Sequence, residues 1–426
     1  MEVRPGYKQT EVGVIPDDWT VKPLGDLFAF SGGLTASRDQ LSPSVGYCYL
    51  HYGDIHTSKK SYVDVRAEYQ DIPKLDIPLA KVSSVSLLAD GDVVFVDASE
   101  DDAGTSKHVV VINPDGSPFI AGLHTIVAKA KSDALDRGYR RYCFQAPAVQ
   151  AQFRFFAVGT KVSGVSKTNI AKISLSVPSA PEQEAIAEAL IDADALIESL
   201  EQLLAKKRQL KQGAMQELLS GKTRLPGFSG KWVVANLDSV VDRITGAWGA
   251  NDSSPDHPRQ IDIIRAGDIS QGGLLTRCAQ RFLSDAEFAR VECRLDDILI
   301  TTSGAGLGKV WWCDGRPNTA ASNFVRILRP RRGKSCGRYL SYVLRGEVGL
   351  KQLQEHTATS AYPNLRPSFF AAPWLSLAPI SEQMGIAAIL SDMDAEIAAL
   401  ESKLAKARQL KQGMMQELLT GQIRLA

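Results

Sequence analysis

The chain has 426 residues, of which 44% are hydrophobic and 23% are charged, and its formal net charge is +1 at pH 7. This length exceeds that of one ordinary domain, and the composition is that of a globular protein with hydrophobic cores rather than of a disordered chain. No run of about 18 apolar residues is present, so we expect no membrane-spanning helix.

The N-terminal segment MEVRPGYKQTEVGVIPDDW contains no apolar signal core, so we expect a cytoplasmic protein. The six cysteines form no CxxC pair, and the six histidines form no HExxH motif or comparable ligand spacing. We therefore predict reduced thiols and no metal site.

Residues 1–180 are predicted to form a first globular domain. Short β-rich runs such as GDVVFV (91–96) and KHVVVI (107–112) are separated by polar, glycine-bearing stretches. The GDI sequence within YLHYGDIH (49–56) is also interpreted as part of a strand. This mixture of strands with helical stretches predicts a mixed α/β (α+β) fold.

Residues 181–225 are predicted to form one long helix that ends near Gly221. Apolar residues recur in it at heptad spacing over about five heptads, which is typical of a coiled coil. Leu196, Leu203 and Leu210 widen the apolar stripe and leave surface for a partner helix. The residues that we assign to the coiled coil and to subunit docking are Ile186, Leu190, Ile197, Leu200 and Leu204.

Residues 226–378 are predicted to form a second domain that repeats the first weakly. GKW (230–232) corresponds to DDW (17–19), GDIS (267–270) corresponds to GDIH (53–56), and DDILITT (296–302) corresponds to GDVVFV. The segment GRYLSYVLRGEVGLKQLQ (337–354) is predicted to be helical. The second domain therefore has the same predicted fold class as the first.

Residues 379–426 repeat the long helix. At an offset of 200 residues, 182–225 and 382–425 are identical at 28 of 44 positions, including the helix start Glu-Gln and most of RQLKQG.MQELL.G..RL. The intermediate stripe is partly polar in this copy, with Glu396 and Lys403. Its coiled-coil and docking residues are Ile386, Leu390, Ile397, Leu400 and Leu404. Two such helices are expected to meet antiparallel.

These features, in this order, resemble the specificity (S) subunit of Type I DNA restriction–modification systems. The resemblance rests on the two Glu-Gln helix starts, the duplicated helix ends, the Trp-containing domain openings, the paired GDI segments and SGAGLGKV (303–310). It implies two globular target recognition domains joined by two long helices in an antiparallel coiled coil, with an internal pseudo-twofold repeat.

The resemblance also implies a function and partners. Double-stranded DNA would be recognised at a bipartite asymmetric site, one half per domain. The helices would bind two methyltransferase (M) subunits and, through the complex, restriction (R) subunits, whereas no membrane is involved. S-adenosylmethionine, ATP and Mg are then expected in the partner subunits, with no cofactor and no catalytic residue in this chain.

Candidate DNA-binding residues lie in polar, glycine-bearing stretches whose side chains can donate hydrogen bonds to bases and phosphates. GTKVSGVSKTN (159–169) and HTATSAYPNLR (356–366) occupy equivalent places before the last strand of each domain. SGAGLGKV fails the phosphate-loop pattern because valine follows its lysine, so a glycine turn beside DNA is favoured. The candidates are Lys107, Lys161, Ser163, Lys167, Asn169, Ser303, Lys309, Thr359, Ser360, Tyr362, Asn364 and Arg366.

Other interpretations stay open. The candidate stretches could be plain surface loops, and the basic run RILRPRRGKSCGR (326–338) could be a solvated loop or a nucleic-acid patch. The chain could also be a single-chain methyltransferase and restriction enzyme, or a coiled-coil adaptor that binds proteins. The paired-proline motif with which adenine methyltransferases hold a flipped base is missing, which weighs against the enzyme.

Overall fold

The computed structural model describes residues 4–99, 106–159, 163–358 and 363–425. The chain divides into two compact units. Unit 1 comprises Met1–Glu201 together with Lys403–Ala426, and unit 2 comprises Gln202–Ser402. Each unit is therefore one globular domain with the N-terminal half of one long helix and the C-terminal half of the other.

The elements of unit 1 confirm the mixed α/β prediction. In chain order they are β1 (Tyr7–Thr10), β2 (Gly13–Pro16), β3 (Thr20–Pro23), α1 (Leu24–Leu27), β4 (Phe28–Gly32), β5 (Leu41–Ser42), β6 (Tyr47–Leu50), α2 (Tyr52–Thr57), β7 (Tyr62–Asp64), β8 (Lys74–Leu75), β9 (Val93–Val96), β10 (Ala98–Ser99), β11 (His108–Ile112), β12 (Phe119–Ala121), β13 (Thr125–Ala130), α3 (Pro147–Phe156), β14 (Ser163–Gly164), α4 (Lys167–Ile170), β15 (Ser174–Val177) and α5 (Ala180–Ser220).

The largest sheet of unit 1 has the order β4-β13-β9-β11-β7, and a second sheet has the order β12-β6-β8-β5. The central strand β9 is apolar throughout because both of its faces are covered. Val93 and Phe95 enter one hydrophobic core, and Val94 and Val96 enter another. This follows from the alternation of side chains along a strand.

Unit 2 repeats this arrangement with its own strands. Its elements are β16 (Val233–Ala235), α6 (Leu237–Val240), β17 (Val241–Thr245), β18 (Arg259–Ile264), β19 (Ala279–Leu283), α7 (Asp285–Val291), β20 (Ile298–Thr301), β21 (Val310–Trp312), β22 (Thr319–Ala321), β23 (Val325–Pro330), α8 (Gly337–Arg345), α9 (Glu347–Glu355), β24 (Thr357–Ala358), β25 (Asn364–Leu365), α10 (Ser368–Ala371), β26 (Leu375–Leu377) and α11 (Ile380–Leu418). The largest sheet has the order β17-β23-β20-β21, beside a sheet β19-β18-β22.

The interpretation of the two GDI segments as strands is wrong. The first lies in α2, where the His51 ring accepts a hydrogen bond from the amide of Gly53 at the helix start. The second lies in a single 3₁₀ turn, Ala266–Asp268, in which the Asp268 carboxylate accepts a hydrogen bond from the amide of Arg265 at 2.9 Å. A side chain that bonds the nearby backbone in this way competes with strand pairing.

The two long helices pair antiparallel within each unit, as predicted. In unit 1 the ammonium of Lys411 donates to Asp194 at 2.6 Å, and Arg408 pairs with Glu201. Residue numbers thus rise along one helix as they fall along the other. Unit 2 has the same two contacts from the other copy, Lys211 to Asp394 and Arg208 to Glu401.

Each long helix ends close to a glycine, α5 directly before Gly221 and α11 three residues before Gly421. Gly221 and Gly421 have φ values of +71° and +68°, a conformation that glycine adopts without a Cβ penalty and that commonly follows the last turn of a helix. Both helix ends therefore lie where the sequence places them.

The predicted coiled-coil residues do not all lie between the helices. Ile186 and Leu190 are fully buried in a core of unit 1, and Ile386 and Leu390 are fully buried in a core of unit 2. They hold each helix to its own domain, so they present no docking surface to another subunit. Further along the helices, the buried positions are Leu204, Leu400 and Leu404, and the half-buried ones are Ile197, Leu200 and Ile397.

Both long helices begin at a buried carboxylate. Glu182 accepts a hydrogen bond from the indole of Trp19 at 2.8 Å and from the guanidinium of Arg424. Glu382 accepts from the indole of Trp232 at 3.1 Å and is bound by two nitrogens of Arg224, each at 2.7 Å. The Trp-containing domain openings, the Glu-Gln helix starts and the arginines after the helix ends thus meet in each unit.

Within the part of the chain that the structure describes, no helix combines the length and the apolarity needed to cross a membrane. No three His, Cys, Asp or Glu side chains in the same ranges are placed so that they could hold a metal ion.

Candidate nucleic-acid interface

In unit 1 the first candidate stretch runs along the end of the central strand β9. The amide of Val165 donates to the carbonyl of Asp97 at 2.8 Å, and β14 pairs with β10 so that Ser163 lies opposite Ser99. Asp97 follows β9 directly. Backbone hydrogen bonds therefore hold the segment that contains the predicted residue Ser163 against the chain that follows β9.

In unit 2 the second candidate stretch occupies the equivalent place beside β20. The amide of Leu365 donates to the carbonyl of Thr302 at 2.9 Å, and Ser303 and Asn364 form a β-bridge. Two predicted residues from distant parts of the sequence thus lie side by side. Ser303 is only 9% exposed, which leaves little of its side chain for a DNA contact, whereas Asn364 and Arg366 are exposed.

SGAGLGKV forms the connection between β20 and β21. Gly304 and Gly308 have φ values of +78° and +82°, and the amide of Gly308 donates to the carbonyl of Thr301 at 2.9 Å. A tight turn of this kind requires glycine at both positions. Lys309 follows the turn and is half-buried, and the predicted DNA contact of Lys309 stays a prediction.

The two described lysines among the unit 1 candidates are both exposed but differ in their hydrogen bonds. Lys107 lies on the exposed surface, and its ammonium donates to the carbonyl of His56 at 2.6 Å. Lys167 is exposed in the first turn of α4, where the Ser166 hydroxyl accepts from the amide of the half-buried Asn169. Their roles in DNA binding stay predictions. Lys161, Thr359, Ser360 and Tyr362 lie outside the described residues.

An aromatic pair beside the unit 2 stretch was missed by the sequence reasoning. Trp248 is 70% exposed and packs edge-on against Phe324, with ring centroids 5.2 Å apart. The carbonyl of Phe324 accepts from the amide of Thr302 at 3.0 Å, so the pair adjoins the candidate loop. A tryptophan between glycines in the polar stretch TGAWGAND was a signal for it.

Unit 1 has a polar cluster in the same place. His124 immediately precedes β13, as Phe324 precedes β23, and its ring lies 3.2 Å from the Asp97 carboxylate and 5.3 Å from the Tyr52 ring. The two units therefore share a backbone framework but present different side chains, which is the arrangement that two different base sequences would require.

Two arginines of the basic run 326–338 are bound within the fold. Arg329 binds both carboxylate oxygens of Asp297, at 2.9 and 2.8 Å, and Arg331 pairs with Asp242 at 3.0 Å. Their charge is thus largely neutralised within unit 2. These two arginines therefore serve the fold, whereas Arg332 and Lys334 of the same run are exposed, so both interpretations of the run stay open.

Comparison with known proteins identifies these features. The family model for the Type I restriction modification DNA specificity domain matches residues 16–207 and again residues 229–409. A curated relative, the putative type I restriction enzyme MjaX specificity subunit of Methanocaldococcus jannaschii, is 25% identical over 221 residues. That match covers 50% of this chain and 48% of the relative, so the chain matches about half of the relative's length.

Solved structures show the same fold. The S subunit of a Type-I restriction-modification system from M. genitalium matches with a TM-score of 0.57 and 12% identity over 98% of both chains. A chain from a type I R-M system, solved for its complex assembly and conformational transition, matches with a TM-score of 0.51 and 18% identity. That second match covers 96% of this chain and 99% of the solved one. With two family matches across most of its length, the chain belongs to the family of the Type I restriction modification DNA specificity domain.

Proposed function

We propose that this chain is the DNA sequence-specificity subunit of a Type I restriction–modification complex, and that each unit reads one half of a bipartite, asymmetric site. The observation that carries the proposal is the shared framework with different side chains. Asn364 and the Trp248–Phe324 pair flank the loop in unit 2, whereas His124 and Asp97 flank it in unit 1. One framework used twice supports two readers, and unlike side chains support an asymmetric target.

The long helices supply surface for partner subunits. Leu196, Leu203 and Leu210 on α5 are 51%, 40% and 51% exposed, and Leu410 on α11 is 63% exposed. Exposed apolar residues in a row along a helix are typical of a protein interface. We infer that two methyltransferase subunits bind these helices and that restriction subunits join through the complex.

In this proposal the chain itself is not catalytic. The methyltransferase subunits bind S-adenosylmethionine and modify adenine, and ATP and Mg serve the restriction subunits. The specificity subunit supplies sequence recognition and the spacing of its partners.

Reconstitution with the cognate methyltransferase subunit tests the proposal. Methylation-sensitive sequencing of DNA treated with the complex should show one bipartite motif, and neither chain alone should methylate DNA. Replacing residues 226–378 with the same domain of a relative should change one half of the motif only. DNA binding without any sequence preference would favour the protein-binding adaptor, and methylation by the lone chain would favour the single-chain enzyme.

A further inference from the structure

The outer edge of the largest sheet differs between the two units. In unit 1, β7 covers the edge strand β11 as an added parallel strand, in the register Val110 to Tyr62 and Ile112 to Asp64. The amide of Val110 donates to the carbonyl of Ser61 at 2.9 Å. In unit 2 the corresponding strand β21 is the last strand of its sheet. Trp312 is the counterpart of Val110, since each pairs with the first residue of the central strand.

The backbone of β21 faces away from the sheet at Trp312. Residues on either side of Trp312 form hydrogen bonds towards β20. The carbonyl of Lys309 accepts from the amide of Thr301, and the amide of Cys313 donates to the carbonyl of Asp297 at 2.8 Å. Ladder bonds alternate along an antiparallel strand, so the amide and carbonyl of Trp312 point outward. No described residue hydrogen-bonds to either group.

The segment that would cover this edge folds back on itself. In unit 1 the chain after α2 crosses to β11 as β7. In unit 2 the chain after the equivalent turn forms a bridge between Ile269 and Leu275, and the amide of Ser270 donates to the carbonyl of Leu274 at 2.9 Å. Among the described residues no strand therefore covers β21 at Trp312, although this segment lies against the first residue of β21, where a Cβ on Gly273 would be 2.8 Å from the carbonyl oxygen of Val310.

A groove of about 1900 Å³ opens along this edge, within unit 2. It is lined by Trp312 and Asp314 from the edge, by α8 and α9, and by the parts of α5 and α11 that belong to the unit. Small-molecule pockets are typically about 300–1,000 Å³, so this groove is better suited to a stretch of polypeptide.

Two arginines on α8 give the groove a positive charge. Arg338 lies 4.1 Å above the Trp312 ring and donates to the Ser391 hydroxyl, and Arg345 donates to the carbonyl of Gly272 at 2.7 Å. Neither guanidinium has a carboxylate within 4 Å among the described residues. Burial also lowers the pKa of Arg345, an effect that the nearby Tyr342 and Asp394 partly offset.

We propose that the edge of β21 at Trp312 and Asp314 binds an extended, acidic segment of the methyltransferase subunit as an added strand. The source follows from the walls of the groove, because the part of α5 in unit 2 also carries Leu203 and Leu210, which are assigned above to methyltransferase binding. This assignment rests on the proposed function. Edge strands with free amides and carbonyls are established sites of strand addition, and β7 shows that this fold accepts a parallel strand there.

Amide hydrogen exchange of the full chain, with and without the methyltransferase subunit, tests the proposal. Exchange of the Trp312 amide should slow by roughly tenfold or more in the complex, whereas the already bonded amide of Cys313 should change little. If the subunit binds and Trp312 exchanges as before, this inference fails and the proposed function stands. If the subunit does not bind at all, both fail.

Asp314→Pro provides a second test, because proline removes an outward amide from the edge. We expect methyltransferase binding to weaken by about tenfold or more and the protection of Trp312 to be lost. Ile112→Pro is the matched control: it should lower the melting temperature, since β7 covers that position, whereas D314P should not. Equal loss of stability in both variants would show that the β21 edge is already used by the fold.

Arg338→Gln, which keeps the backbone, should make methyltransferase binding weaker and less sensitive to salt. An unchanged salt dependence would count against an acidic segment.

Discussion

Glu182 and Glu382 explain why the duplicated motifs contain the residues that they do. Their side chains are 4% and 0% exposed, and a carboxylate buried to this extent requires hydrogen-bond donors. Each receives an indole N–H and an arginine, and Arg424 also pairs with Asp18 at 2.8 Å. The hydrogen bonds from Arg224 hold the pKa of Glu382 below its usual value.

Arg424→Ala should loosen unit 1 selectively. It leaves the buried Glu182 with the indole of Trp19 as its remaining described donor, which should cost about 1–3 kcal/mol. Amide exchange should rise in β1–β3 and the first turns of α5. Arg224→Ala is the mirror variant and should raise exchange in β16 and at the start of α11. Loosening of both units by either variant would contradict the assignment of each arginine to one unit.

His108 is a buried titratable group on β11. Its ring lies between Phe95 and Phe144, its Nε2 has no hydrogen-bond partner among the described residues, and burial lowers its pKa from 6.5 to about 4. The unfolded chain therefore binds a proton between these two values whereas the folded chain does not. It follows that folding stability is fully present above about pH 6.5 and falls as the pH is lowered towards 4.

His108→Val should remove this pH dependence, because valine occupies the equivalent position 310 in unit 2. The difference in unfolding free energy between pH 6.5 and pH 4 should be up to about 3 kcal/mol smaller in the variant than in the wild type. Urea unfolding at a series of pH values measures it. Parallel pH profiles of the two proteins would mean that His108 is accessible to protons in the folded state.

At the scale of the elements, the helices have positions with separate roles. The first turns pack into the domain cores, the positions of Leu204, Leu400 and Leu404 are buried further along, and the stripe that includes Leu203 is exposed. Ion pairs from Lys211 and Lys411 fix the antiparallel register. Side-chain burial thus distinguishes the helix positions that stabilise the fold from those that are available for an interface.

Leu400→Asp and Leu203→Glu should therefore have opposite effects. A carboxylate at the buried position 400 lacks a partner and should cost about 2–4 kcal/mol of stability. One at position 203, which is 40% exposed, should change stability by less than about 0.5 kcal/mol and yet weaken methyltransferase binding. Urea unfolding and a pull-down with the methyltransferase subunit measure the two effects. Normal assembly by L203E would show that the stripe is not an interface.

At the scale of the whole molecule, the boundaries between the units cross both long helices after Glu201 and after Ser402. Each unit contains its own pair of helix segments, one half of α5 and one half of α11. An insertion at both points leaves every ion pair within a unit intact. The two boundaries are therefore better sites for lengthening the helices than the end of α5, where Leu219 packs against a core of unit 2.

Inserting seven helical residues at both points should lengthen the recognised site. Seven residues add about 10 Å with little net rotation, which corresponds to about three base pairs at 3.4 Å each. Sequencing of methylated DNA should show the two half-sites unchanged and the spacer longer by two to three base pairs. An unchanged spacer with full activity would mean that the helices do not set the distance between the half-sites.

The sequence by itself determined the duplication, the two long helices, their glycine ends and the family. These properties are written in local patterns, because a heptad repeat and a repeated motif can be recognised without knowing what they contact. It also placed Ser163 and Asn364 in equivalent polar stretches, and Ser303 in a separate glycine turn. It missed Trp248, since the exposure of an aromatic side chain depends on what folds over it.

Only the tertiary structure decided which residues meet. The partners of Glu182 are 163 and 242 residues away in the sequence, and no local pattern specifies such a pairing. Periodicity shows that Ile186 faces an apolar neighbour but not that this neighbour is a domain core. The covered edge of β11 and the open edge of β21 likewise follow from the direction that one short segment takes after equivalent turns. Long-range packing chooses among locally similar possibilities, and that choice has no signature in the spacing of residues.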